Sequence, residues 1–274
     1  MRRFRWANFH LTFEAGVAVL INVFPLGCAL LLVGALIGSI GIGGVLLVPS
    51  LMYLGNVDVH IAIATSSFSY LFSGAAGGLL YLRKGVIKWP MAGALVAGAM
   101  PGAFLGAATM ASTPAVVLEL VIAALIGIAG VHALIQDAEH GCAVEFFGNR
   151  KLFAIGFAVG YGSAASGTGG PLILVPILLW LGTPVLTAIG LSQVIQVPIA
   201  ILASVGNVVN EKIDFMLGAW ISIFLVAGIV IGARFTSRLS PLFLKKAAAA
   251  LLIGSGALVV SLVGHRYLLT GHLG

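Results

Sequence analysis

Charge is scarce in this chain. Its 14 Lys and Arg and 8 Asp and Glu make up 8% of 274 residues, against about 25% in an ordinary soluble domain. So little charge cannot maintain a water-soluble surface. Cysteine is nearly absent as well. Cys28 lies inside an apolar run and Cys142 in a polar connector, which excludes a disulfide framework and any CxxC metal or redox site. His60, His132 and His265 are scattered without metal-ligand spacing. No Asp, His and Ser stand at a common depth, as a membrane hydrolase would need for nucleophile and base. These absences argue against an enzyme, and neither a metal nor a cofactor is expected.

What is present is apolar. Hydrophobic residues account for 60%, with 37 glycines besides, and the mean hydropathy is +1.15, so the bilayer is the expected solvent. The net charge of +6 does not point to nucleic acid. Its Lys and Arg sit in short gaps between apolar stretches, where they set membrane orientation. Arg2-Arg3-Phe4-Arg5 and Pro25-Leu26-Gly27-Cys28 echo the start of a leader and a lipoprotein cleavage site. The 43 residues from Ala15 to Val57 carry no charge, however, which reads as embedded chain rather than a cleaved leader.

A spanning helix needs about 20 apolar residues, because each adds about 1.5 Å across a hydrocarbon core of about 30 Å. Ile61 to Leu82, Pro90 to Thr109, Pro114 to Gln136, Leu186 to Val209, Leu217 to Ala233 and Ala247 to Gly264 each read as one span. Phe24 to Leu54 and Leu152 to Gly182 are too long for one helix and carry glycine clusters followed by proline, so each is expected to break into two half-helices. Arg83, Lys84 and Lys88 mark one cytoplasmic loop, and Arg234, Arg238, Lys245 and Lys246 another. Glu211-Lys212-Ile213-Asp214, with no positive excess, is assigned to the outside.

The chain also repeats itself. Gly41-Ile42-Gly43-Gly44 meets Gly167-Thr168-Gly169-Gly170 at an offset of 126. One inserted residue later, Val48-Pro49 meets Val175-Pro176, Leu54-Gly55 meets Leu181-Gly182, and Thr65 meets Ser192. The offset then returns to 126, pairing Trp89 with Phe215, Gly102 with Gly228, and Gly106-Ala107 with Gly232-Ala233. The predicted architecture is an all-α polytopic membrane protein of two homologous halves in inverted orientation. Each half has a broken helix, or pair of half-helices, plus three spanning helices. Residues 1–136 form the first half, 137–151 a polar connector and 152–274 the second. Duplicated halves with interrupted helices at matching positions are the signature of a secondary transporter with a midplane site between the repeats.

Irregular backbone at membrane depth survives only where protein or a watery cavity satisfies it. Glycine permits positive φ there and lets amide N–H groups approach a ligand, while half-helix N-termini favour an anion. The expected site therefore comprises Ser39, Gly41, Gly43, Gly44, Thr65 and Ser66 from the first half. From the second it takes Ser166, Thr168, Gly169, Gly170, Ser192 and Gln193, with Ser67, Ser163 and Gln196 close by. Pro49 and Pro176 are read as ending or kinking the helix after each break. Gly98, Gly102 and Gly106, with Gly228 and Gly232, read as packing glycines. Glu119 follows Thr113-Pro114, which read as an N-cap and first helical position. It is placed at the interface, with proton coupling as its functional alternative.

At these residues the sequence resembles the sulfite exporter TauE/SafE family, also described as the 4-toluene sulfonate uptake permeases. The match rests on Gly41-Ile42-Gly43-Gly44 with Pro49, Leu54-Gly55 and Ala64-Thr65-Ser66, and on Gly167-Thr168-Gly169-Gly170 with Pro176, Leu181-Gly182 and Leu191-Ser192-Gln193. The third glycine that often extends the pattern is Val45 in one half and Pro171 in the other. The resemblance implies a multi-pass transporter of the bacterial inner membrane that moves sulfite, sulfonates such as sulfoacetate, or related small anions. Its expected partners are that anion and membrane lipid, and the oligomeric state stays open. A channel-like anion pore and a membrane-embedded enzyme are the alternatives.

Overall fold

The computed structural model describes residues 25–39, 41, 43–135, 148–209 and 213–235, with isolated positions beyond 249. The described residues are helical and contain no strand. Helix α1 is Pro25–Ser39. After the first break, a tight turn of 3-10 helix at Gly43–Leu46 runs into α2 at Leu47–Tyr53. Helices α3 (Val59–Arg83), α4 (Trp89–Ser112) and α5 (Ala115–Ile135) complete the first half. In the second half the structure describes α6 (Asn149–Ser166), α7 (Pro171–Trp180), α8 (Val185–Val209) and α9 (Phe215–Phe235). Trp89–Ser112, Leu186–Val209 and Phe215–Arg234 are each long and apolar enough to cross a membrane. The span expected from Ala247 to Gly264 is described only at isolated positions. Glu14, residues 137–147 of the polar connector with Cys142, His265 and the loop at 210–212 lie outside the described residues, whereas residues 149–151, expected in the connector, already belong to α6.

Helix ends follow from local chemistry. The Asp58 side chain accepts from the His60 N–H at 2.9 Å to cap α3, and Asp214 accepts from the Leu217 N–H at 2.9 Å to cap α9. Thr113 does not cap α5 as expected. Its hydroxyl donates back to the Thr109 carbonyl at 2.6 Å and closes α4 instead. Pro176 does not end its helix either. It lies inside α7, which runs on to Trp180, and Pro49 lies within α2.

Helices far apart in the chain pack against each other. Gly98, Gly102 and Gly106 of α4 meet the backbone of α6 at Phe153, Phe157 and Tyr161, and Gly34 and Gly38 of α1 meet α9 at Leu225 and Ile229. At these points a Cβ would overlap a carbonyl of the facing helix, so only glycine admits the contact. Both pairs run parallel. α3 runs parallel to α9, where Ser69 donates to the Gly218 carbonyl at 3.1 Å, and antiparallel to α8, where Gly77 meets Gln193 and Gly74 meets Gln196.

These directions sort the chain ends. α1 runs inward from the Asp58 end of the bundle and α2 returns to it, whereas α6 enters from the Arg83 end and α7 returns there. Every described Lys and Arg, namely Arg83, Lys84, Lys88, Arg150, Lys151 and Arg234, lies at the second end. Asp58 and Asp214 lie at the first.

Candidate functional site

α3 and α8 cross at the centre, and the two glycine breaks meet beside the crossing. Among the described residues, the first break carries one left-handed residue, Gly41 at φ 83°. The second carries three, Gly167 at 65°, Gly169 at 79° and Gly170 at 97°. Each break packs on the other half at an equivalent position. A Cβ on Gly41 would stand 3.0 Å from the Ile189 side chain, and one on Gly167 would stand 3.0 Å from the Ile63 Cα. Ile63 and Ile189 are themselves 126 residues apart, so the two contacts join positions at the same offset. α3 and α8 also keep the offset of 126 from end to end. Ser66, rather than Thr65, is therefore the counterpart of Ser192.

Tyr70 ties the breaks together. Its hydroxyl donates to the Gly44 carbonyl, and its ring lies against Gly169, where a Cβ would approach within 3.0 Å. A Cβ on Gly44 would in turn lie 3.1 Å from the Thr168 carbonyl oxygen. The equivalent residue on α8 is Gln196, and both line a cavity of about 10 Å³ with Ser67, Ser163 and Gly169. That is room for about one water. Ile199, Ala200 and Ala203 form its apolar wall.

The cavity is neutral and its polar groups are only partly used. Gln196 Nε2 donates to Ser73 Oγ at 3.1 Å and Ser67 Oγ donates to the Ile63 carbonyl at 2.9 Å, but Gln196 Oε1 and Ser163 Oγ have no partner. Leaving such a group buried and unmatched costs about 1–3 kcal/mol. Gly170 caps α7 beside this cavity, with Pro171 in the first turn. The positive end of the helix dipole therefore points at the unmatched groups.

The expected site residues divide. Gly44, Thr168, Gly169 and Gly170 come together around Tyr70 and the cavity. Ser166 Oγ lies 3.0 Å from Thr168 Oγ1 and donates to the Gly162 carbonyl, so it shapes the second break. Gly41 packs on Ile189, and Gly43 folds back on α1 at Leu36. Ser39 bonds the Leu36 carbonyl at 3.4 Å and Ser192 the Ile189 carbonyl at 2.7 Å. Thr65 turns toward α9, accepting from the Asp214 N–H at 3.2 Å. Ser66 and Gln193 are fully buried, and the Ser66 hydroxyl and both Gln193 amide atoms are without partners. Gln193 lies against Gly77, on the Arg83 side of the cavity.

Glu119 is buried within the protein. It is only 3% exposed, because it shares the inward face of α5 with Leu118, Ile122 and Ala123 at helical spacing. His60 bridges helix ends, with Nε2 2.9 Å from the Thr113 carbonyl, a structural role. Tyr70 is the residue at the meeting of the breaks that sequence reading passed over. A single buried aromatic in an apolar helix has no distinguishing pattern, and its one signal was the offset of 126 that pairs it with Gln196.

The chain is 26% identical over 237 residues to a Bacillus subtilis protein named probable membrane transporter protein YdhB, covering 81% of this chain and 96% of that one. A Xylella fastidiosa (strain Temecula1) protein named probable membrane transporter protein is 27% identical over 220 residues, covering 76% and 83%. A second Bacillus subtilis protein so named, YunE, is 38% identical over 99 residues, about a third of each chain. No solved structure matches. The profile of the sulfite exporter TauE/SafE family matches residues 21–259. With helices apolar enough to cross a bilayer and a polar site between paired breaks, the chain belongs to the sulfite exporter TauE/SafE family of membrane transporters.

Proposed function

We propose that this protein is a secondary transporter of the bacterial inner membrane that exports a small sulfur oxyanion, sulfite or an organosulfonate such as sulfoacetate, by alternating access. The observation that carries the reading is the meeting of both breaks at Tyr70 beside buried, unmatched polar groups. Two re-entrant segments entering from opposite ends support inverted repeats, and the cations gathered at the Arg83 end support a cytoplasmic assignment for that end. A sulfonate is a permanently charged tetrahedral oxyanion. Hydroxyls, amides and a helix N-terminus replace part of its hydration without the deep affinity that would prevent release.

The cavity is too small to hold such an anion. Loading then requires the breaks to separate and Tyr70 to leave the Gly44 carbonyl. Buried Glu119 is the candidate for proton coupling.

Flux into proteoliposomes tests the reading. Sulfite, sulfoacetate, taurine and sulfate are offered with and without an imposed proton gradient. Saturable, gradient-driven accumulation of a sulfur anion is expected. Downhill, non-saturable flux would favour a channel, and chemical conversion of the compound, read by mass, would favour an enzyme.

A further inference from the structure

Beyond the cavity, α8 carries an unexplained line of polar side chains. Asn207 is 0% exposed, and neither its Nδ2 nor its Oδ1 has a hydrogen-bond partner among the described residues. Such a primary amide in an apolar bundle normally finds partners. At about 100° per residue, Asn207 lies on the same face of α8 as Gln196, Ala200 and Ala203, which line the cavity. It stands one turn past Ala203, toward the Asp58 end. Ser204, whose hydroxyl is also without a partner, lies close to the same face. From Gln196 to Asn207 the helix rises about 16 Å, roughly half the hydrocarbon thickness. The line has no counterpart on α3, where the equivalent positions of Ser204 and Asn207 are Gly78 and Tyr81. Tyr81 is buried against Gly190.

We propose that Asn207 is a second binding position for the anion, on the route between the central cavity and the Asp58 end. The inference rests on the transporter reading. The Asn207 side-chain N–H groups donate to the oxyanion as it passes between the cavity and water, and Ser204 supplies the next donor. Gln193 stands on the Arg83 side of the cavity, but the position equivalent to Asn207 on α3 is the buried Tyr81, so the second position serves only the Asp58 side.

Thiol labelling tests this in the full-length protein with Cys28 and Cys142 replaced by Ser. Asn207→Cys is treated with an anionic reagent, sulfonatoethyl methanethiosulfonate, and with its trimethylammonium analogue. The anionic reagent is expected to react about tenfold faster, as in a site that concentrates anions, and saturating sulfoacetate is expected to protect the thiol. Absence of labelling by either reagent, or equal rates for both, would overturn the proposal. A persisting anion preference in a protein that neither binds nor moves any sulfur anion would keep the second position and discard the substrate reading.

A transport readout supplements labelling. Asn207→Leu is expected to raise KM about tenfold for sulfoacetate offered from the Asp58 side, with KM from the other side unchanged. An equal change from both sides would indicate a merely structural amide and overturn the assignment.

Discussion

Gln196 is the residue on which the site most depends, because it is fully enclosed and its Oε1 has no partner, while its Nε2 is shared with Ser73. A hydrogen bond to a charged ligand contributes about 1.5–3 kcal/mol. Gln196→Leu is therefore expected to weaken sulfite or sulfoacetate binding about tenfold to a hundredfold, measured by calorimetry on purified protein. Ser73→Ala removes the same internal bond but leaves the amide, and should leave affinity within about twofold. Equal losses in both variants would assign Gln196 to packing. Glu119 makes a separate case. Glu119→Gln keeps shape and hydrogen-bonding capacity but cannot ionise, so it should abolish proton-driven accumulation while sparing downhill exchange of the anion across liposomes. Retained accumulation in this variant would remove Glu119 from coupling.

At the scale of elements, the helix pairs α4–α6 and α1–α9 are held by glycines that bring two backbones into contact. Gly102→Val places side-chain atoms onto the Phe157 carbonyl and must push α4 from α6, so an overpacking cost of about 1–3 kcal/mol is expected. A fall in thermal midpoint in detergent would report it. A neutral effect would mean that the pair is looser than these contacts describe. The breaks answer to different rules. Gly169 has both a left-handed φ and the Tyr70 ring at its missing Cβ, so glycine is required there for conformation and space together. The packing role of Gly98, Gly102 and Gly106 was legible from their four-residue spacing, since that period places them on one helix face. The identity of the facing helix was not, because nothing local in α4 points to α6.

At the scale of the whole molecule, the described cations gather at one end and Asp58 and Asp214 at the other. With the Arg83 end cytoplasmic, a cysteine replacing Asp58 is expected to react with an impermeant thiol reagent added to intact cells. One replacing Lys88 should react only after permeabilisation. The opposite pattern would invert the orientation and with it the direction assigned to the Asn207 route.

Much of the architecture was present in the chain as a string. Span length, the positions of the breaks and the offset of 126 depend on local hydropathy and on identity between distant stretches, and both survive without coordinates. The side chains that face the site depended on the crossing of α3 over α8. Register there is decided by where Gly74 and Gly77 let Gln196 and Gln193 approach. Packing of α3 on α9 turned Thr65 toward Asp214, and packing of α3 on the two breaks brought Tyr70 between Gly44 and Gly169. Helical periodicity states which residues share a face. Only close packing between segments far apart in sequence determines what that face meets.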